Sequence, residues 1–189
     1  MSQDSYKIEL YKLWDDYSVS DGDQEQKIAI AIQKYIANLN ARDAEDYYFW
    51  GNSVYSLNQA RALEISHPLF RKALDIDKGY YLARLYSAHC YHDKGEYKEA
   101  LEEYLLVNQA DLEKDMPIWR TVKLNEQIGY CYAKLNQLDV AEQYFRKVVS
   151  SYITVENCEL VPVQEAYECL PADHPLVSEV KKAEEIHFT

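Results

Sequence analysis

The chain has 189 residues and a net charge of −12, a length that suits one domain with a continuous core. The acidic balance argues against nucleic acid as a ligand, because phosphate binding needs a basic surface. The longest apolar run, residues 28–32, is too short to span a bilayer, and the N-terminus lacks a signal-peptide pattern, so we expect a cytoplasmic protein that does not engage membranes.

Residues 1–46 are predicted to form two amphipathic helices. Tyr6, Leu10, Leu13, Trp14 and Tyr17 share one helical face, and Asp21-Gly22-Asp23 marks a turn. A second face then follows. It is made of Ile28, Ile32, Tyr35, Ile36 and Leu39. Because the end units of a repeat array must cover an exposed core, we expect this pair to be an N-terminal cap.

An internal repeat occupies residues 47–150. Ala88, Tyr91, Ala100, Tyr104 and Val107 recur forty-one residues later as Gly129, Tyr132, Ala141, Phe145 and Val148. Small residues at such offsets let two helices approach closely while aromatic residues fill the gaps. Each copy therefore predicts a helical hairpin that cannot bury its apolar face alone.

A fainter copy lies upstream. Trp50, Val54, Leu57, Phe70 and Ala73 precede Arg84, Ala88, Tyr91, Tyr104 and Val107 by thirty-four residues. Here Pro68 predicts a late second helix with Ser66 as its N-cap. The seven extra residues before Met116-Pro117 predict an extension of the preceding helix by two turns.

Residues 151–189 predict a C-terminal cap. Val161 to Leu170 forms a short helical segment, and Asp173-His174-Pro175 starts a last helix with Leu176, Val180 and Ala183 on one side. The acidity belongs to the flanks. Residues 1–46 hold ten acidic and five basic residues, and residues 156–189 hold eight acidic and two basic residues. The repeats between them hold fourteen acidic and thirteen basic residues.

This spacing, with Gly95-Glu96-Tyr97 before Ala100 and Asn136-Gln137-Leu138 before Ala141, resembles the tetratricopeptide repeat family. The resemblance covers roughly residues 47–150. It implies an all-α, right-handed solenoid of helical hairpins, with about three repeats and capping helices at both ends, in a single domain of residues 1–189. The family's members bind proteins or peptides, so the resemblance implies a scaffold or adaptor without enzymatic activity.

In the family the first helix of each repeat lines the binding groove. Carried over by position, the first unit contributes Tyr48, Asn52, Tyr55 and Gln59, the second Leu85, Tyr86, His89 and Asp93, and the third Glu126, Gln127, Tyr130 and Lys134. One branch of the family grips carboxylate ends with a cluster of cations and Asn. The corresponding positions here are mostly Gly51, Tyr55, Tyr86 and Gln127, and only Lys123 offers the expected cation, so we expect an aromatic or polar peptide segment instead.

The acidic flanks allow an alternative function, an immunity or inhibitor protein that neutralises a basic toxin by electrostatic capture. A basic protein partner is compatible with either function, although an acidic surface also serves solubility alone.

We predict no metal, cofactor or catalytic site. His89 and His92 lie one turn apart beside Asp93, but a structural metal site needs more ligands. The carboxylates around Glu96–Glu103 are interpreted as a solvated helix face, and no phosphate-binding loop or nucleophile motif occurs. Cys90 and Cys131 share one repeat position and are predicted to be small buried residues.

Overall fold

A computed structural model describes residues 5–38, 40, 43–57, 61–115, 118–154 and 164–188. Helices are the only regular elements within these ranges, which confirms the all-α prediction. They are α1 (Ser5–Ser18), α2 (Gly22–Ala37), α3 (Ala44–Tyr55), α4 (Ala62–Ile76), α5 (Tyr81–Asp93), α6 (Tyr97–Leu105), α7 (Gln109–Asp115), α8 (Ile118–Lys134), α9 (Leu138–Thr154), α10 (Gln164–Cys169) and α11 (Pro175–Phe188). None of them is long and apolar enough to cross a membrane.

The chain forms two compact units, residues 1–86 and 87–189. In the first unit, α1 and α2 make the predicted N-terminal pair and share one core with α3 and α4. The buried members of this core are Leu10, Tyr17, Ala29, Ile32, Ile36, Trp50, Val54, Leu57 and Ala62. Leu39, predicted on the same face, lies outside the described residues. The single domain, with its boundaries at 46 and 150, remains a prediction.

The second helix of the first repeat begins earlier than predicted. α4 starts at Ala62, so Pro68 lies inside the helix and Ser66 is a buried helical residue rather than the N-cap. An internal proline removes a hydrogen bond and costs about 3 kcal/mol. The extra turn buries Ala62 in the core and packs Ile65 against it.

A close glycine–phenylalanine approach fixes the true alignment of the repeats. A Cβ added at Gly129 would lie 2.7 Å from Cε1 of Phe145, and one at Gly51 would lie 2.6 Å from Cε1 of Phe70. Gly51 is therefore the structural equivalent of Gly129. The sequence alignment had assigned that position to Val54. The alignment was wrong by three residues because six residues connect α3 to α4, whereas three connect α8 to α9.

In the second unit, α8 and α9 form the third hairpin and α11 packs on it. Phe145, Val148 and Tyr152 share a core with the last helix, whose Leu176, Val180 and Ala183 are buried as predicted. Cys90 and Cys131 are also fully buried. The short C-terminal segment is helical over α10, whereas Val161 lies outside the described residues.

The predicted helix extension before Met116-Pro117 is instead a separate helix. α6 ends at Leu105, and Asn108 starts α7 by accepting hydrogen bonds at Oδ1 from the backbone of Ala110 and Asp111, at 3.1 and 3.4 Å. The asparagine side chain caps a new helix, so the chain turns at this point, and Leu112 of the new helix is buried. Met116 and Pro117 themselves lie outside the described residues.

Candidate functional site

The predicted groove residues belong to both units. Tyr48, Asn52, Tyr55, Leu85 and Tyr86 lie in the first, and Gln59 lies outside the described residues. The second unit holds His89, Asp93, Lys123, Glu126, Gln127, Tyr130 and Lys134.

The first unit brings its predicted tyrosines together. The ring of Tyr86 makes edge contacts with Tyr48 and Tyr55, with centroids 5.7 and 5.5 Å apart, and a tilted contact with the buried Phe70 at 5.6 Å. Tyr80 adds a contact to Tyr48 at 5.5 Å. We call these five rings the tyrosine cluster. Tyr48, Tyr55 and Tyr86 all stay partly exposed, whereas Leu85 is buried.

A pocket of about 390 Å³ lies between α1 and α3. Its lining residues are Tyr11, Trp14, Asp15, Ser18, Phe49, Asn52, Ser53 and Ser56. Asn52 was a predicted groove residue, but Phe49 and Ser56 were missed. The corrected alignment finds them, since thirty-seven residues later lie Tyr86 and Asp93, which were predicted. By the same offset the predicted Tyr55 corresponds to His92 instead of His89, and its contact with the Tyr86 ring is what keeps it at the site.

In the second unit, His89 and Gln127 are held by an internal hydrogen-bond chain. The Tyr104 hydroxyl donates to Oε1 of Gln127 at 2.9 Å, and Nδ1 of His89 lies 2.7 Å from that hydroxyl. The hydroxyl has one proton to give, so Nδ1 of His89 donates to it. Burial lowers the pKa of His89 to about 3, and the ring is therefore neutral.

Lys123 joins α8 to α10 through two carboxylates. Its ammonium donates to Oε2 of Glu126 at 2.7 Å and to Oε2 of Glu165 at 2.6 Å, and the backbone N–H of Glu165 donates to Oε1 of Glu126. Burial works against the charge of Lys123, but the two carboxylates outweigh it and raise its pKa. Burial, with Glu165 adding to it, raises the pKa of Glu126 to about 7. One ammonium thus lies between two carboxylates, of which Glu126 is fully buried.

Tyr130 is also packed inside the second unit. Its ring contacts those of His92 and Tyr97, with centroids 5.1 and 5.7 Å apart, and only 9% of the residue is exposed. Lys134 lies over the same ring, 4.8 Å from Nζ to the centroid, and is itself exposed, as is Asp93. Among the predicted groove residues of the second unit, the exposed ones are therefore mainly charged.

Comparisons with known proteins agree with this architecture. The sequence profile of the Tetratricopeptide repeat matches residues 122–152, within the α8–α9 hairpin. The chain is similar to the solved structure described as "Crystal structure of MamA protein", with a TM-score of 0.56 and 17% identity over 84% of this chain and 80% of that one. A search of curated proteins found no match. Residues 122–152 therefore match a tetratricopeptide repeat, and the likeness to the solved structure shows the fold.

Tetratricopeptide repeats generally form protein-interaction scaffolds. No group of three or more His, Cys, Asp or Glu side chains suited to a metal ion occurs among the described residues. His89 and His92 contact different partners. His89 is hydrogen-bonded to Tyr104, whereas Nε2 of His92 lies 3.8 Å from the carboxylate of Glu165.

Proposed function

We propose that this tetratricopeptide repeat protein is a non-enzymatic scaffold that binds a protein or peptide on the first helices of its repeats. The observation that carries the proposal is the tyrosine cluster, which keeps three aromatic side chains partly exposed on α3 and α5. Tyrosine couples a large rigid contact area to a hydroxyl group and is enriched at interfaces.

The two units contribute differently to this surface. Leu85, Glu126, Gln127 and Tyr130 are buried, and Gln127 and Glu126 already bond inside the second unit. Their side chains support the helices that a partner would contact. The first unit combines the tyrosine cluster, which has three partly exposed rings, with the pocket between α1 and α3. We therefore assign the binding energy chiefly to this unit.

The enzyme class has no support in the geometry, because no nucleophile, base and stabiliser come together among the described residues. The alternative of an acidic inhibitor is not supported by the comparisons. A cytoplasmic location and the exclusion of nucleic acid remain predictions that rest on sequence.

Selection of peptides from a random displayed library tests the proposal. We expect the selected peptides to lose about 1–3 kcal/mol of binding free energy in Tyr55→Ala and Tyr86→Ala, since central aromatic anchors carry a disproportionate share of interface energy. Tyr130→Ala should have a smaller effect, because that ring is buried. Tyr144→Ala is the matched control, since Tyr144 lies on a second helix, α9, and is likewise partly exposed.

Thermal unfolding of each variant separates lost contacts from lost folding. Full affinity in folded Tyr55→Ala and Tyr86→Ala variants, or an equal loss in Tyr144→Ala, would overturn the assignment to the first helices.

A further inference from the structure

The pocket between α1 and α3 has aromatic walls. Tyr11 and Trp14 come from α1 and Phe49 from α3, and the rings of Tyr11 and Phe49 meet edge to face with centroids 5.6 Å apart. Tyr11 is 58% exposed, so a ligand can reach its ring from solvent. A pocket of about 390 Å³ is in the size range of small-ligand sites and accommodates one large side chain.

The polar groups of this pocket present acceptors. Ser18 donates its hydroxyl proton to the carbonyl of Asp15, Ser53 to that of Phe49 and Ser56 to that of Asn52, at 2.8, 2.8 and 3.0 Å. These hydroxyls therefore have only lone pairs left for a ligand.

Two further acceptors are unused. The side-chain oxygen of Asn52 is buried and has no hydrogen-bond partner among the described residues, and leaving such a group unsatisfied costs about 1–3 kcal/mol. Asp15 is exposed and makes no ion pair with the residues that the structure describes. No Lys, Arg or His is among the described residues that line the pocket.

A cation already contacts one wall from outside. Lys7 lies over the Phe49 ring, 5.8 Å from Nζ to the centroid, and its charge is paired with Glu45 at 2.9 Å. Aromatic faces attract cations, and arginine adds a planar group that stacks on rings while it donates several hydrogen bonds.

We propose that this pocket binds an arginine side chain of the partner protein. The inference rests on the proposed scaffold function and narrows it, because it gives the partner a basic residue at a defined position. The guanidinium stacks on the exposed ring of Tyr11 and donates to Asp15 and to the Asn52 oxygen, which gains the hydrogen bond it lacks.

Nuclear magnetic resonance with a small probe tests this binding without knowledge of the partner. The probe is Nα-acetyl-arginine N-methylamide, and the signal is the indole N–H of Trp14, assigned from the spectrum of Trp14→Phe. We expect a saturable shift of this signal. Nα-acetyl-citrulline N-methylamide, which has the same shape without the charge, should bind at least about tenfold more weakly.

Two neighbouring acids provide a matched pair of variants. Asp15 lines the pocket, whereas Asp16 is the next exposed acid on α1 and does not. Asp15→Asn should lower the affinity for the arginine probe by about fivefold or more, and Asp16→Asn should lower it by less than about twofold. No saturable shift in the wild-type chain, equal binding of the citrulline probe, or equal effects of the two variants would overturn the proposal.

Failure of this proposal is distinguishable from failure of the scaffold function. Displayed peptides that bind through Tyr55 and Tyr86 while the arginine probe leaves Trp14 unchanged refute the arginine pocket alone. If no displayed peptide binds, the scaffold function fails, whatever the small probe does.

Discussion

The close approach of Gly129 to Phe145 gives a sharp test of the third hairpin. Alanine at this position would place its Cβ 2.7, 3.0 and 3.2 Å from three atoms of the Phe145 ring. Carbon atoms in contact prefer about 3.5–4.0 Å, so the ring would have to retreat by nearly 1 Å. Phe145 is fully buried, so its ring can move only if its neighbours in the core also shift.

Two opposing contributions decide the size of the effect. Replacing a helical glycine with alanine stabilises a helix by about 1 kcal/mol, whereas overpacking a core costs about 1–3 kcal/mol. We expect Gly129→Ala to lose about 1 kcal/mol of unfolding free energy. The same reasoning applies to Gly51→Ala against Phe70, where the added Cβ would lie 2.6 Å from the ring.

Urea unfolding followed by circular dichroism measures the change. Phe145→Leu alone creates space at some cost, and in that background Gly129→Ala should become neutral or stabilising, because the ring edge is gone and the helix propensity remains. Greater stability of Gly129→Ala in the wild-type background, or an undiminished cost of Gly129→Ala in the Phe145→Leu background, would refute the contact.

Three further outcomes are expected. Ala100→Leu and Ala141→Leu should each cost about 1–3 kcal/mol, since both alanines are fully buried, and unchanged unfolding midpoints would show that they do not lie at helix crossings. Burial raises the pKa of Glu126 from 4.5 to about 7, so its stabilising proton is fully held below pH 4.5 and lost as the pH rises through 7. Wild type should therefore lose stability relative to Glu126→Gln between about pH 5 and about pH 8, and a constant difference would contradict this. Added zinc should not raise the melting temperature, and a saturable rise that disappears in a His89→Ala, His92→Ala double variant would contradict the structural interpretation of that pair.

The sequence predicted most of the fold because the repeat signal lies in core residues. Ala100, Ala141 and Phe145 occupy the buried positions that their recurrence indicated. The flanking helices α1, α2 and α11 were also predictable, since their apolar residues recur at helical spacing. Residues that pack in the core of a helical array recur at regular spacing, so the sequence alone reveals them.

The errors arose where a loop or a cap changed the register. The connection from α3 to α4 is three residues longer than its counterpart from α8 to α9, so Phe49 and Ser56 were missed as pocket residues. The spacing in the sequence contains the signal for this longer loop, because Gly51 precedes Phe70 by nineteen residues whereas Gly129 precedes Phe145 by sixteen. Asn108 likewise began a new helix where length alone favoured a longer one.

The burial of groove positions could not be derived from spacing. Gln127 occupies a first-helix position but accepts a hydrogen bond from Tyr104, a residue twenty-three positions earlier that only the fold brings close. The linkage of Glu126 to Glu165 spans thirty-nine residues and depends on where α10 lies.

The central claim is that a partner binds the first helices, chiefly in the first unit. A selected peptide that carries a nitroxide spin label tests it most directly, because the label broadens the amide signals of nearby residues. We expect the strongest broadening in α1, in α3 and around Tyr86, and weaker broadening in the part of α4 that is remote from Phe70. Broadening centred on α4 or α9, with the signals of α3 unchanged, would contradict the account.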